Sequence, residues 1–275
     1  MRHRLSIITI NYNDKNGLEK TIKSVINQSC RDYEFIVVDG GSNDGSADII
    51  KNHTDYIDKW VSEPDKGIYN AMNKGALMAS GDYITYLNSG DEFHDQDVTR
   101  DIISHLDRET DIIFGNVLNV HRGGLTNIYR FTRPISLMSL YRSVVNHSGA
   151  FISRRQQLKR PYNESLKICS DRQFFIESLV IDNCSYRQID RIITRFDKTG
   201  VSSSKESDEL MDKENEMILD LTVPPRIASD YRRTNLILQD LTSELTHYQG
   251  LTKIICKIDM AILKLYRIIT RKNNK

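Results

Sequence analysis

The chain has 275 residues, of which 27% are charged and 39% hydrophobic, and its formal net charge is +1. These values are typical of a soluble globular protein and predict one large domain with an appendage. The near-neutral charge excludes a general attraction to nucleic acid, so we expect no nucleic-acid partner. No apolar stretch reaches the roughly 18 uninterrupted residues that a membrane span requires.

Cysteine usage and the start of the chain both favour a cytoplasmic protein. The cysteines are scattered without a C-x-x-C pair, which argues against a zinc site and favours reduced thiols. They are Cys30, Cys169, Cys184 and Cys256. Residues 5–10 are apolar, but the polar residues 11–14 follow at once. The apolar stretch is therefore too short for a secretion signal.

Strand and helix patterns alternate over the first hundred residues. Apolar strand patterns cover residues 5–10, 33–38, 57–61 and 83–87. Apolar residues at helical spacing predict helices over residues 18–26, 46–51 and 68–79. Repeated strand–helix units predict an α/β fold with a mostly parallel central sheet flanked by helices.

The pattern loosens after Asp91. The sequence predicts helices over residues 98–106 and 171–179, strands over 111–114 and 148–152, and a hairpin-like stretch over 117–130 that contains Gly123 and Gly124. Beyond Gly200 a serine run is followed by a charged helix and by Pro224-Pro225. We therefore divide the chain into a main domain of residues 1–200, with halves 1–92 and 93–200, and a C-terminal helical extension of residues 201–275.

The tail of residues 231–275 has a helical pattern with a basic character. An apolar stripe recurs at helical spacing, while lysines and arginines occupy the other faces; the stripe is Ile254, Ile258, Ile262, Leu265 and Ile269. Such a helix suits the surface of an anionic membrane. It equally suits docking on its own domain or on a second subunit, as in a homodimer, and the sequence leaves these alternatives open.

Two of the predicted strands run directly into acidic loops. The strand at 33–38 is followed by Asp39 and a glycine-rich loop, and the strand at 83–87 is followed by residues 88–91, which end in Asp91. In open α/β sheets the ligand crevice lies outside the carboxyl ends of the strands. The sequence therefore predicts a polar, phosphate-bearing ligand at this edge of the sheet.

Common phosphate-binding motifs are absent from these loops. The chain has neither G-x-G-x-x-G after the first strand nor G-x-x-x-x-G-K-[ST], which argues against a nicotinamide dehydrogenase and a P-loop enzyme. Asp39 can accept hydrogen bonds from a nucleobase or a ribose, and Asp91 can hold a divalent cation. Capping roles remain open for both: Asp39 for its turn, and Asp91 for the residues that follow.

Five segments, taken in order along the chain, form a recognisable series. They are residues 6–13, 24–29, 38–45, 62–75 and 81–91, with the sequences SIITINYN, SVINQS, VDGGSNDG, SEPDKGIYNAMNKG and GDYITYLNSGD. The series covers most of residues 5–200 and resembles the inverting family 2 glycosyltransferases of GT-A fold, which move a sugar from a nucleotide diphosphate sugar to an acceptor hydroxyl. The segments look most like the branch that builds bacterial surface polysaccharides such as O-antigen or exopolysaccharide.

The resemblance implies a set of donor-binding residues and a metal site. Thr9, Asn11 and Asp39 would contact the nucleoside, while Asp65, Lys66 and Asn88 would lie beside the donor, with Lys66 suited to the diphosphate. Asp91 would hold Mn²⁺ or Mg²⁺. Asn88 and Gly90 stand where the family usually has aspartates, so Asp91 would act with diphosphate oxygens and waters.

The resemblance also implies a catalytic base. Residues 169–175 are similar to the family segment that carries it, which makes Asp171 the expected base for the acceptor hydroxyl. Asp171 is alternatively a helix cap or an ion-pair partner of Arg172. Residues 146–151 are similar to the segment just ahead of the base, where His147 would face the cleft or serve a structural role.

The resemblance implies a hexosyl- or N-acetylhexosaminyl-type transferase. The family suggests a lipid-linked oligosaccharide acceptor at the inner face of the membrane, with a peripheral contact through the C-terminal helix. Two alternatives stay open. One is a nucleotidyltransferase acting on sugar phosphates, although its glycine-rich basic loop is poorly matched by residues 11–17. The other is a non-catalytic subunit that binds sugar nucleotides, suggested by Asn88 and Gly90 in the metal loop.

Overall fold

A mixed β-sheet organises the chain, with helices on both faces. The computed structural model describes residues 3–198, 205–238 and 240–241. The strands are β1 (Leu5–Asn11), β2 (Tyr33–Asp39), β3 (Lys59–Ser62), β4 (Tyr83–Tyr86), β5 (Glu92–Phe93), β6 (Ile112–Val120), β7 (Thr126–Tyr129), β8 (Ala150–Ser153) and β9 (Tyr186–Asp197). The helices are α1 (Lys15–Ile26), α2 (Ser46–Lys51), α3 (Ile68–Met78), α4 (Val98–His105), α5 (Leu137–Arg142), α6 (Arg154–Lys159), α7 (Ser170–Ile176) and α8 (Lys205–Thr222).

The sheet has a parallel half and a mixed half. Its strand order is β3-β2-β1-β4-β8-β6-β9-β5, with β7 paired to β6 as a hairpin. The pairs of β1 with β2, β1 with β4 and β2 with β3 are all parallel. Strand β8 enters antiparallel between β4 and β6. The carboxyl ends of β1, β2 and β4 therefore meet at one edge, as the sequence predicts.

Alternating residues of each strand enter two separate cores. Ile8 and Ile36 point to one face, where they pack with residues of α3 and α7. Ile7 and Phe35 point to the other face, where they pack with residues of α1 and α4. This period of two arises because successive side chains of a strand leave on opposite sides. The run of apolar residues in each central strand thus reflects burial on both faces.

The predicted α/β class with a central sheet flanked by helices is confirmed, and most element positions agree with the sequence patterns. The main omission is β9, a twelve-residue strand. It pairs in parallel with β6 and antiparallel with β5. Only a few of its side chains are buried, among them Ile189 and Ile193, and charged residues separate them. No apolar run therefore marks this strand in the sequence.

Helix α8 belongs to the same compact unit as the sheet. That unit extends from Met1 to Thr222, whereas the composition change suggested an end at residue 200. A second unit begins at Val223, and its described part is helical over residues 225–238. The apolar stripe predicted at residues 254–269 lies outside the described residues. In the part of the chain that the structure describes, every helix is too short or too polar to cross a membrane.

Candidate active site

Asp39 forms the centre of a hydrogen-bonded cluster at the ends of β1 and β2. Its carboxylate accepts bonds from Asn11 Nδ2 at 2.7 Å, from the Ser42 backbone N–H at 3.0 Å, and from the hydroxyls of Ser42 and Ser62 at 2.5 and 2.6 Å. Burial raises the pKa of Asp39, but these donors outweigh it and hold the pKa below its ordinary value. Asp39 is fully buried and caps its own loop.

The loop after β2 lies directly against Asp65. A β-carbon at Gly40 would be 2.4 Å from Asp65 Oδ2, so a larger residue at this position would displace the Asp65 carboxylate. Asp65 itself accepts a bond from the backbone N–H of Gly67, which precedes α3. Lys66 is exposed at the same turn. The predicted donor-side residues Asp39, Asp65 and Lys66 therefore belong to neighbouring loops.

Thr9 has a different position from the other predicted donor residues. Its side chain is fully buried, and its hydroxyl donates to the backbone oxygen of Leu87 at 2.8 Å. This bond ties β1 to the turn after β4. A direct contact of Thr9 with a nucleoside stays a prediction, and the geometry gives its hydroxyl a supporting role beneath the site.

A chain of side chains connects the loop after β4 to Asp171. Asn88 Nδ2 lies 3.2 Å from His147 Nε2, and His147 Nδ1 lies 3.0 Å from Asp171 Oδ2. The neutral imidazole with its proton on Nδ1 satisfies both contacts, because it donates to Asp171 and accepts from Asn88. The side chains of His147 and Asp171 are each 15% exposed. His147 is thus in contact with the predicted base.

Asp171 and Asp91 place negative charge near His147. Burial lowers the pKa of His147, but the hydrogen bond and negative charge of Asp171, together with the charge of Asp91, raise it above the ordinary value. The ring of Phe196 packs edge-on against the imidazole at 6.1 Å between ring centroids. Charge and packing therefore both restrict the orientation of the ring.

Asp91 is buried beneath the same loop. Its Oδ1 accepts a bond from the backbone N–H of Asp197 at 2.9 Å. Burial raises the pKa of Asp91 to about 7, because the Asp197 N–H and the charges of His147 and Lys20 offset only part of its cost, and the Asp197 carboxylate opposes them. A carboxyl held in this way is a site at which a cation would be strongly favoured.

The loop after β4 carries oxygen atoms that could bind a divalent cation. Asn88 Oδ1 is buried and has no hydrogen-bond partner among the described residues, so this oxygen is available to a ligand. Within residues 3–198 and the described part of α8, no three histidine, cysteine or acidic side chains converge as a metal cage. Oxygen ligands from Asp91 and Asn88 suit Mg²⁺ or Mn²⁺, with the remaining positions left to a diphosphate and water.

Five of the predicted residues belong to one continuous cluster, namely Asp39, Asn11, Asn88, His147 and Asp171. Ser89 Oγ donates to Asn11 Oδ1 at 2.9 Å, which joins the Asp39 cluster to the loop after β4. From that loop, Asn88 leads through His147 to Asp171. A cavity of about 400 Å³ elsewhere is lined by Asp111 and Arg155. This cavity lies near the start of β4 and the end of β8, away from the carboxyl end of β4. None of the predicted site residues line it.

Sequence patterns missed three groups at or near the site. Tyr12 is 66% exposed, and its ring lies 3.1 Å from the position of a β-carbon at Gly40. Asp197 contacts Asp91 from the end of β9. Glu214 of α8 binds the segment ahead of Asp171. Tyr12 had a local signal, since it stands between Asn11 and Asn13 in a strand-end loop. The other two are brought in by tertiary packing and have no such signal.

Comparison with known proteins identifies related sequences. The model of glycosyl transferase family 2 matches residues 6–178. An uncharacterized glycosyltransferase of Mycobacterium tuberculosis is 33% identical over 211 residues, which cover 74% of this chain and 78% of that protein. A PGL/p-HBAD biosynthesis glycosyltransferase of Mycobacterium bovis is 25% identical over 219 residues, covering 76% of this chain and 81% of the relative.

Solved structures share the fold at low sequence identity. Staphylococcus aureus TarS 1–349 in complex with UDP-GlcNAc has a TM-score of 0.63 and 16% identity, covering 78% of this chain and 66% of that one. The match spans only 39% of the longer TarS chain. A Pyrobaculum calidifontis mannosyltransferase in complex with GDP-Man and Mn²⁺ has a TM-score of 0.54 and 15% identity, covering 71% and 57%. The GT-A fold is thereby confirmed, and the family match over residues 6–178 shows that this chain belongs to glycosyltransferase family 2.

Proposed function

We propose that this glycosyltransferase moves a hexosyl or N-acetylhexosaminyl group from a nucleoside diphosphate sugar to an acceptor hydroxyl, with inversion. The observation that carries the proposal is the connected cluster from Asp39 through Asn11, Ser89 and Asn88 to His147 and Asp171. It brings the predicted donor-binding loops and the predicted base to one edge of the sheet. The TarS complex with UDP-GlcNAc supports the choice of donor class.

The donor is proposed to lie across the ends of β1, β2 and β4. The exposed ring of Tyr12 suits stacking on a nucleobase, since every base has a π-face. Asn11 and Asp65 line the nucleoside side, while Thr9 and Asp39 hold the strand ends on which it rests. Lys66 supplies positive charge for the diphosphate. Asp91 and Asn88 would hold a divalent cation, whose chemistry there is to neutralise charge that develops on the leaving diphosphate.

Asp171 is proposed to act as the general base. The acceptor oxygen attacks the anomeric carbon as the carbon–oxygen bond to the diphosphate breaks, and the acceptor proton passes to Asp171. The bonding electrons leave with the nucleoside diphosphate, whose negative charge Lys66 faces. His147 Nδ1 donates to Asp171 Oδ2 and so orients the carboxylate. Asp171 Oδ1 accepts from the Arg172 backbone N–H at 2.8 Å.

The acceptor is proposed to be a lipid-linked oligosaccharide or glycolipid of a bacterial surface. The similarity to a PGL/p-HBAD biosynthesis glycosyltransferase of M. bovis supports an acceptor of this class. The protein would then work at the inner face of the membrane, where the basic tail of residues 231–275 would serve as a peripheral contact or as a dimer element.

A donor screen tests the reaction class. The purified protein is incubated with UDP-GlcNAc, UDP-glucose, GDP-mannose or dTDP-rhamnose in the presence of Mn²⁺, and the released products are separated. Nucleoside diphosphate is the expected product, released slowly as water takes the place of the acceptor. A parallel incubation with a sugar phosphate and a nucleoside triphosphate that releases pyrophosphate would instead indicate a nucleotidyltransferase. Donor binding without any product would indicate a non-catalytic subunit.

Asp171→Asn tests the base. The amide keeps the shape of the side chain but accepts no proton, so we expect turnover to fall by about 10²–10⁴-fold. Nucleoside diphosphate affinity, measured by calorimetry, should stay within about threefold because Asp171 is not a donor-binding group in this proposal. Asp48→Asn, an exposed carboxylate on α2, is the matched control and should retain full activity. Turnover preserved in Asp171→Asn would remove Asp171 from the role of base.

A further inference from the structure

The carboxylate of Glu214 is buried against the segment that leads into Asp171. Glu214 lies on α8 and is 3% exposed. One of its oxygens accepts a bond from the backbone N–H of Lys167 at 2.6 Å, and the other accepts from the N–H groups of Ile168 and Cys169, both at 2.9 Å. Three successive amides thus converge on one carboxylate. Hydrogen bonds to an ionised acceptor are about twice as strong as neutral ones.

The same segment is held from two further directions. The Ile168 backbone oxygen accepts a bond from the hydroxyl of Tyr69 on α3 at 2.5 Å. Ser170 Oγ accepts from the backbone N–H of Asn163 at 2.6 Å. Asp171 is the next residue of the chain. Its position therefore depends on a segment whose amides are occupied by Glu214 and whose carbonyl is occupied by Tyr69.

We propose that Glu214 is a positioning residue for the catalytic base. It fixes residues 167–169, and thereby the start of α7, so that Asp171 faces the acceptor and meets His147. This inference rests on the proposed role of Asp171. Misplacement of a reacting group by about 1 Å can cost around 10²-fold in rate, so the rigidity of its supporting segment has a direct kinetic effect. Helix α8 lies beyond residue 178, where the family match ends, so a residue outside that match would complete the site.

Two substitutions separate the carboxylate from the bulk of the side chain. Glu214→Gln keeps the shape but turns one acceptor oxygen into an N–H₂ donor that faces backbone donors. Glu214→Ala removes both acceptors. Both variants should therefore release the segment. Glu209→Gln is the matched control, because it neutralises an exposed carboxylate on the same helix.

Hydrogen exchange tests the bonds between Glu214 and residues 167–169 without reference to activity. In the 275-residue chain the amides of residues 167–169 should exchange at least tenfold faster in Glu214→Gln and Glu214→Ala than in the parent protein or in Glu209→Gln. Peptides from β1 and β2 should exchange at unchanged rates, which shows that the fold is intact. Should Glu214→Ala fail to fold, Glu214→Gln carries the test. Unchanged exchange at residues 167–169 would overturn the proposal.

Kinetic measurements then test whether Glu214 acts on turnover through Asp171. With the fastest donor of the four-donor screen and Mn²⁺, we expect both Glu214 variants to lose at least tenfold in kcat, while the donor KM changes less than threefold. The double variant Asp171→Asn/Glu214→Ala should be no slower than Asp171→Asn alone, since a positioning residue has nothing left to position. If Glu214 only stabilises the fold, Glu214→Ala would lower kcat by the same factor in the parent protein and in Asp171→Asn. That result would overturn the proposal.

The same measurements distinguish this inference from the function on which it rests. Turnover retained by Asp171→Asn would reject the base itself, and with it the role of Glu214. An inactive Asp171→Asn together with a fully active Glu214→Ala would reject the role of Glu214 alone.

Discussion

At the scale of single residues, the protonation of Asp91 links the site to stability. The pKa of Asp91 is about 7 in the folded chain, against about 3.9 for an exposed aspartate. At a pH between these two pKa values, Asp91 keeps its proton in the native state but has released it in the unfolded state. The free energy of unfolding of the metal-free protein therefore includes a term that is fully present below about pH 4, falls as the pH rises, and levels off above about pH 7.

The substitution Asp91→Asn should stabilise the metal-free protein at alkaline pH. The amide carries no buried charge and can still accept from the Asp197 N–H. We expect Tm in EDTA at pH 8 to rise, with each kcal/mol corresponding to about 2–4 °C. The gain should shrink at pH 5, where the parent carboxyl is protonated. Stabilisation by Mn²⁺ with UDP should be lost in the variant. An unchanged or lower Tm at pH 8 would contradict this account.

Residues next to a strand end could be predicted, whereas their distant partners could not. Asp39, Asn88 and Asp91 follow apolar strands, and this position alone directs them to the ligand edge of the sheet. The Asp197 N–H reaches Asp91 across 106 positions of sequence, and Glu214 reaches the Asp171 segment across about 45. Contacts of this kind depend on how β9 and α8 pack, which no local pattern encodes.

At the scale of elements, α3 lies unusually close to the sheet at Gly75. A β-carbon at this position would be 2.5 Å from Ile8 Cγ2 and 3.5 Å from Val38 Cγ2, both within the core. Helix α3 follows directly on the loop that carries Asp65 and Lys66. The close approach therefore sets the height of that loop above the ends of β1 and β2.

The substitution Gly75→Ala should destabilise the fold. Overpacking costs typically about 1–3 kcal/mol, and alanine's higher helix propensity returns about 1 kcal/mol. The expected result is a net loss of up to about 2 kcal/mol in urea unfolding, with an unchanged m-value. Leu77→Ala changes an exposed residue of the same helix and should have little effect. Equal or greater stability of Gly75→Ala would show that α3 moves away from the sheet at little cost.

The elements of the first half were predictable because each central strand is buried along its whole length and carries a mostly apolar sequence. Burial on both faces makes such strands visible as continuous runs, as in residues 35–38 of β2. Strand β9 buries only Ile189, Ile193 and Thr194, with charged residues between and around them, and its pairing with β6 shifts register between Phe114 and Val117. A strand with this irregular burial has no period that a sequence pattern could reveal.

At the scale of the whole molecule, the boundary of the catalytic unit can be tested by truncation. A chain ending at Thr222 retains the first compact unit, so we expect Tm and UDP affinity close to those of the full chain. A chain ending at residue 200 lacks Ile218, which is fully buried in the core, and leaves the amides that Glu214 occupies without their acceptor.

The shorter chain should lose at least about 3 kcal/mol of stability. Ile218 and Leu219 of α8 are both fully buried, and burial of each of these side chains contributes about 1.5–3 kcal/mol. We would compare the stability of the two truncated chains with that of the 275-residue chain by thermal unfolding. Equal stability of the chains ending at 200 and 222 would mean that α8 is dispensable, in conflict with its packing.

One stretch of chain contacts both Asp91 and the segment ahead of Asp171. Strand β9 ends at Asp197, whose N–H binds Asp91, and α8 begins only a few residues later and brings Glu214 to the segment ahead of Asp171. In chimeras made with a related enzyme, this stretch must be exchanged as a single block. A crossover placed between Asp197 and Glu214 would take the support of Asp91, the proposed metal ligand, from one parent and the support of Asp171, the proposed base, from the other.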